Sequence, residues 1–158
     1  MKNILLTLLL LLTVSPTPSF KGSARGVEVH ESLKPYFNRL VKLSKEEKLK
    51  VDWNNIESID LAPLSTGVQG VWLPNSDVIL ISYYFTFPPF QVLTKEEKDD
   101  FILLCLAHEV GHSQGLKHIE KGKIGLMSMD SSKDLMVIRS LGVEQYIINT
   151  YRNELGKK

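Results

Sequence analysis

The stretch HEVGHSQGLKH, residues 108–118, holds three of the four histidines in a chain of 158 residues. It continues TKEEKDDFILLCLA, residues 94–107, which reads as a helix. Thr94 and Glu97 can form a capping box. Acidic residues crowd the first turns, where the helix dipole favours them. Phe101, Leu104, Cys105, His108 and His112 fall along one stripe. His108 and His112 are four apart, so in a helix both leave one face, one turn apart. That pair can hold one metal ion from a rigid element. Gly115 permits a left-handed turn that ends the helix, which lets His118 come round as a third ligand. Three neutral imidazoles leave a fourth tetrahedral position for water, the arrangement of catalytic rather than structural zinc. Glu109 is not needed as a ligand and is free to take a proton from that water.

The five residues H-E-x-x-H alone are a weak signal, and the extension to Gly115 and His118 makes it specific. The plain alternative is a set of surface or capping histidines near a helix end. His30, outside the cluster, reads as an ordinary surface histidine.

The eleven residues resemble the signature of the metzincin zinc peptidases, in which the motif is followed by a methionine-containing turn. GLMSM follows at residues 125–129. Met127 takes the place of that methionine, with Met129 the lesser candidate. The pattern is most similar to the matrixin-like branch and its small bacterial relatives, and the resemblance spans residues 108–129. It implies an α+β zincin domain with a twisted mixed sheet of three or four strands, a zinc-binding active-site helix, a Met-turn and a C-terminal helix. It implies one catalytic Zn²⁺ held by His108, His112 and His118, Glu109 as general base, Gly115 at the turn and Met127 as an apolar floor. A polypeptide substrate would lie extended along a sheet edge. By the resemblance, the last hairpin, VQGVWL to DVILISYYF, supplies that edge. The chain departs from the pattern at Met129, where many relatives carry Pro. It also has no cysteine placed to cap the zinc from a propeptide, and no acidic cluster that reads as a calcium site.

The beginning of the chain has a different character. Lys2 precedes an apolar run from Ile4 to Val14, followed by SPTPSFKGSARG. A basic start, about ten apolar residues and a small-residue tail form the pattern of a secretory signal. A spanning helix needs about 20 apolar residues, so a membrane anchor is the poorer reading. Gly22-Ser23-Ala24 offers a cleavage site, giving a signal over residues 1–24 and one domain over residues 25–158, in the periplasm or secreted. Loss of Lys2 and Lys21, with no acidic residue lost, turns the formal charge from +1 to −1. A near-neutral chain is a poor nucleic-acid binder and a poor electrostatic binder of membranes. Cys105 is the lone cysteine. No internal disulfide is possible, and it reads as a small buried hydrophobe.

Between signal and motif the period changes. SLKPYFNRLVKL (32–43) has helical spacing, with Ser32 as a cap and Pro35 in the first turn. Ser44 and Glu47 suggest a second capping box, where the helix breaks or restarts. LKVDW, IESIDLA, VQGVWL and DVILISYYF, between residues 49 and 85, read as strands. Pro74 to Asp77 form a hairpin turn, and FPPF (87–90) closes the strand region. Trp53, Trp72, Tyr83, Tyr84, Phe85, Phe87 and Phe90 read as core before substrate platform. SKDLMVIRSL and VEQYIINTYRNEL read as amphipathic helices jointed at Gly142, with Val143, Ile147 and Tyr151 packing back on the domain. Tyr146 reads as packing too. Lys117, Lys121 and Lys123 read as a solvated face near the site.

Three functions fit these residues: an exported zinc endopeptidase, a zinc amidase acting on a cell-wall or other non-protein amide, and a non-catalytic zinc-binding protein. Glu109 counts against the third, because binding alone does not need that carboxylate. An unidentified inhibitor or partner is compatible with all three.

Overall fold

The protein's structure, a computed structural model, describes residues 24–83, 93–120, 123, 125–128 and 134–156. Most of the expected signal, FPPF, Lys121 and Met129 lie outside the described residues, as do Tyr84, Phe85, Phe87 and Phe90. Ala24, at the expected cleavage site, opens a single 3₁₀ turn to Gly26.

The fold is α+β. Strand β1 is Glu28–Val29 and helix α1 is Lys34–Glu46. Strands β2 (Ser58–Ala62), β3 (Gly70–Leu73) and β4 (Val78–Ser82) follow. Helix α2 is Lys95–Ser113, α3 is Asp134–Leu141 and α4 is Val143–Leu155. The four strands form one mixed sheet in the order β1-β2-β4-β3. β1, β2 and β4 run parallel, and β3 lies antiparallel on β4 as an edge strand.

Local chemistry explains each element. β2 and β4 bring Ile59, Ile79 and Ile81 into the core, all fully buried. Residues 74–77 form the expected tight turn, with Asp77 left-handed at φ 52°, so Leu73 pairs with Val78. Thr94 and Glu97 make both halves of the capping box, Glu97 N–H to Thr94 Oγ1 at 3.2 Å and Thr94 N–H to Glu97 Oε2 at 2.9 Å. α2 is the central element, packed on β3 and β4 and against α1 and α4. Accordingly it buries residues almost all round from Phe101 to Ser113. Gly142, at φ 84°, makes the joint between α3 and α4, and Val143, Ile147 and Tyr151 pack inward as expected.

Four expectations are corrected. LKVDW is not a strand. Leu49 and Val51 pack on the core from a loop, and the Asp52 side chain accepts Asn54 N–H to cap a 3₁₀ turn at Trp53–Asn55. Ser44 starts no second helix. It is buried within α1, where its hydroxyl donates to Val41 O at 2.9 Å, and the chain leaves the helix through left-handed Lys48. Ser32 is not the cap either. His30, exposed as read, accepts Ser32 N–H ahead of a 3₁₀ turn that leads into α1. Tyr83 is 53% exposed rather than core. Trp53 does join the core, edge-on to Phe37 at 5.3 Å. Among the described residues, no helix is long and apolar enough to cross a membrane.

Candidate metal centre

The end of α2 is built by backbone chemistry. Gly115 is left-handed at φ 81°. Gly115 N–H donates to His112 O at 2.8 Å and Leu116 N–H donates to Gly111 O at 3.0 Å. This is the Schellman arrangement, which satisfies the last helical carbonyls and reverses the chain. The reversal also aims a ligand, because Leu116 O then accepts a bond from His112 Nδ1 at 2.9 Å. His108 Nδ1 is held in the same way by Leu126 O at 2.6 Å. A carbonyl only accepts, so both Nδ1 atoms carry the proton, and each neutral ring presents Nε2 as a lone pair.

Those lone pairs converge with the third. The His108, His112 and His118 Nε2 atoms stand 3.0, 3.1 and 3.2 Å apart. The Nε2 atoms of His108 and His112 are both acceptors and cannot satisfy one another at contact distance; a cation at the centre of the three nitrogens satisfies all of them. A tetrahedral zinc with bonds of about 2.0–2.1 Å spaces its nitrogens about 3.3–3.4 Å apart. The observed triangle is a few tenths of an ångström tighter, so the residues fit the ion. Among the described residues this is the cluster of side chains able to hold a metal.

Comparisons with protein-family models, with curated proteins and with solved structures found no match.

Burial keeps His108 and His112 neutral. It pushes the His108 pKa down to about 4, against the opposing bond to Leu126 O and with help from neighbouring His112 and His118. The His112 pKa is lowered by burial too, again against a carbonyl bond and with His118 assisting. Glu109 is only 6% exposed. Loss of solvent pushes its pKa up to about 7, while a backbone hydrogen bond from Trp72 works the other way. A carboxyl near that value can both accept and release a proton at neutral pH.

The three histidines and Glu109 line one cleft of about 540 Å³, with β3 on one side and Leu126 and Ser128 on the other. Trp72 is part of that lining as well as packed on the core. Gln69 O accepts Ser82 N–H at 2.9 Å, which fixes the alternation along β3. Gly70 and Trp72 therefore turn their main-chain groups to the free edge. Cys105 is buried as read, and lines the cleft one turn before His108. Lys117 is exposed, and exposed Lys123 pairs with Glu120 at 2.9 Å.

Met127 is buried against α2, at 2% exposed. Its Sδ stands where a side chain at Gly111 would go, 2.7 Å from an added Cβ. Gly111 was not singled out from sequence, although a glycine inside a helix carries that hint. Gly70 was missed as well. A Cβ there would lie 2.8 Å from Glu109 Cγ and 2.9 Å from Oε1, so only glycine lets the carboxylate rest against the edge strand. A third omission is Gln114. Its side chain accepts Asp52 N–H at 2.8 Å and donates to Asp52 O at 3.1 Å, tying the end of α2 to the loop before β2. Nothing in the local sequence announces that contact.

Proposed function

We propose that the protein is an exported zinc endopeptidase of metzincin type. The observation that carries the proposal is the converging triangle of Nε2 atoms on His108, His112 and His118, set in a cleft beside the buried carboxylate of Glu109. The mixed sheet with an antiparallel edge strand above the histidine helix is consistent with the family that the 108–129 motif resembles. The sequence of residues 1–24 supports export.

Zinc, when bound, supplies a Lewis acid that polarises the scissile carbonyl and makes a water acidic near pH 7. The chain's own groups do the rest. Leu126 O and Leu116 O hold the His108 and His112 rings so that Nε2 faces the ion. Glu109 accepts the proton of the attacking water and returns it to the departing nitrogen, a round trip suited to a pKa near 7. The outward main-chain groups of Gly70 and the outward carbonyl of Trp72, whose N–H is held by Glu109, pair with an extended peptide as an added strand. Burial around Glu109 keeps water from competing for that carboxylate.

The test is made on protein purified without chelators, beside Glu109→Ala. One zinc per chain, cleavage of unfolded casein, and loss of cleavage with zinc retained in the variant are the expected results. A folded chain that takes up no zinc overturns the proposal. Zinc uptake without cleavage of any polypeptide moves the function to another amide or to binding alone.

A further inference from the structure

The hydroxyl of Tyr151 does something that packing does not require. Tyr151 lies on α4 at 1% exposure, among the apolar residues Val143, Ile147 and Leu155 of the same buried face. A phenylalanine would bury the same ring. Burying a hydroxyl costs free energy unless it is bonded, and here it donates to Ala107 O at 2.5 Å. That carbonyl is not an orphan in need of a donor. Ala107 lies inside α2, so its oxygen also accepts Gly111 N–H in the helix ladder. The added bond therefore ties α4 to one chosen turn of α2.

That turn is the one that matters for the site. Ala107 O belongs to the peptide group that leads into His108, and Glu109 is the next residue. The other contacts on this turn include Leu126 O on His108, Gly70 and the Trp72 N–H against Glu109, and Met127 against Gly111. A rotation of α2 would carry His108 off its carbonyl and Glu109 off Gly70 together. The phenol holds the helix against that rotation from the α4 side. Burial raises the Tyr151 pKa, and the charge of Glu109 adds to the rise, so the hydroxyl remains a donor at any working pH.

We infer that Tyr151 is a positioning residue of the metal centre, which through its hydroxyl on Ala107 O sets the orientation of the turn carrying His108 and Glu109. The inference rests on the zinc reading above.

The test compares zinc affinity, by chelator competition, and the visible spectrum of the Co²⁺-substituted protein in wild type, Tyr151→Phe and Ile148→Val. Tyr151→Phe removes one oxygen and leaves Ala107 O its helical donor, so no buried group is stranded and the variant folds. Ile148 is a buried apolar residue of the same helix, and its loss of one methylene is a control for a comparable fall of a few degrees in Tm. Tyr151→Phe is expected to bind zinc about 10-fold more weakly, the lower end for outer partners of a metal site, with a changed Co²⁺ spectrum. Ile148→Val is expected to keep both. 4-Aminophenylalanine at position 151, which retains a donor on the ring, is expected to restore the affinity. Wild-type affinity and spectrum in Tyr151→Phe overturn the inference and leave the zinc reading standing. An equal loss in Ile148→Val also overturns it, because the effect is then general destabilisation. Absence of zinc binding in the wild type overturns both.

Discussion

The sulfur of Met127 occupies the space that any side chain at Gly111 would need, so the helix bearing His108 and His112 closes onto the turn at Met127 through a glycine. The residue before that methionine, Leu126, carries the carbonyl that orients His108. Met127 and His108 are thus linked through two consecutive residues.

Gly111→Ala is expected to push Met127 away and disturb the Leu126 carbonyl with it. Alanine gains up to about 1 kcal/mol in helix propensity, but overpacking a filled core costs about 1–3 kcal/mol, and Met127 is almost fully buried. Urea unfolding and zinc competition should show a less stable protein with weaker zinc binding. Equal or greater stability with unchanged zinc affinity would mean that the contact is loose.

Gly70→Ala bears on catalysis rather than on metal. The new Cβ would meet the Glu109 carboxylate and displace it by about an ångström. Misplacement on that scale costs about 100-fold in rate. Steady-state kinetics should show the loss in kcat, with zinc content equal to wild type. A parallel loss of zinc would place the effect on the helix as a whole.

Gln114→Leu removes both bonds to Asp52 and frees the end of α2. The expected cost is about 1–2 kcal/mol, with weaker zinc binding because the turn at Gly115 delivers His118. A variant that loses stability and keeps its zinc affinity would show that the Schellman turn alone positions His118.

The metal-free protein should have an unusual pH dependence of stability. The pKa of His108 falls from 6.5 to about 4 on folding. Between those values the unfolded chain holds the extra proton, and stability rises with pH. The pKa of Glu109 rises from 4.5 to about 7. Its contribution is complete below pH 4.5 and is lost as pH rises through 7. Between pH 4.5 and 6.5 the two slopes oppose each other. Glu109→Gln removes one of them, so stability of the variant should climb by about 1.4 kcal/mol per pH unit more steeply than that of wild type. His112 adds a slope of the His108 sign to both proteins. Denaturant unfolding at several pH values, with chelator present, measures the difference; identical slopes would contradict these environments.

What the sequence revealed and what it hid divide along a physical line. The capping box at Thr94 and Glu97, the left-handed Gly115 and the histidine spacing were legible because each depends on residues within a few positions of one another. β1 was not legible, since Glu28 and Val29 become a strand only by pairing with Ser58 and Ile59. LKVDW misled because its alternation packs a loop, and Asp52 prefers to cap its own turn. Gly70 against Glu109 and Tyr151 on Ala107 join segments about 40 residues apart. No local pattern contains them.

The most direct measurement is zinc-edge X-ray absorption on the purified protein after one equivalent of zinc. The account predicts three imidazole nitrogens and one further oxygen at about 2.0 Å, with imidazole scattering reduced in His112→Ala. A sulfur scatterer, a closed four-residue shell, or a folded protein that does not retain the zinc would contradict it.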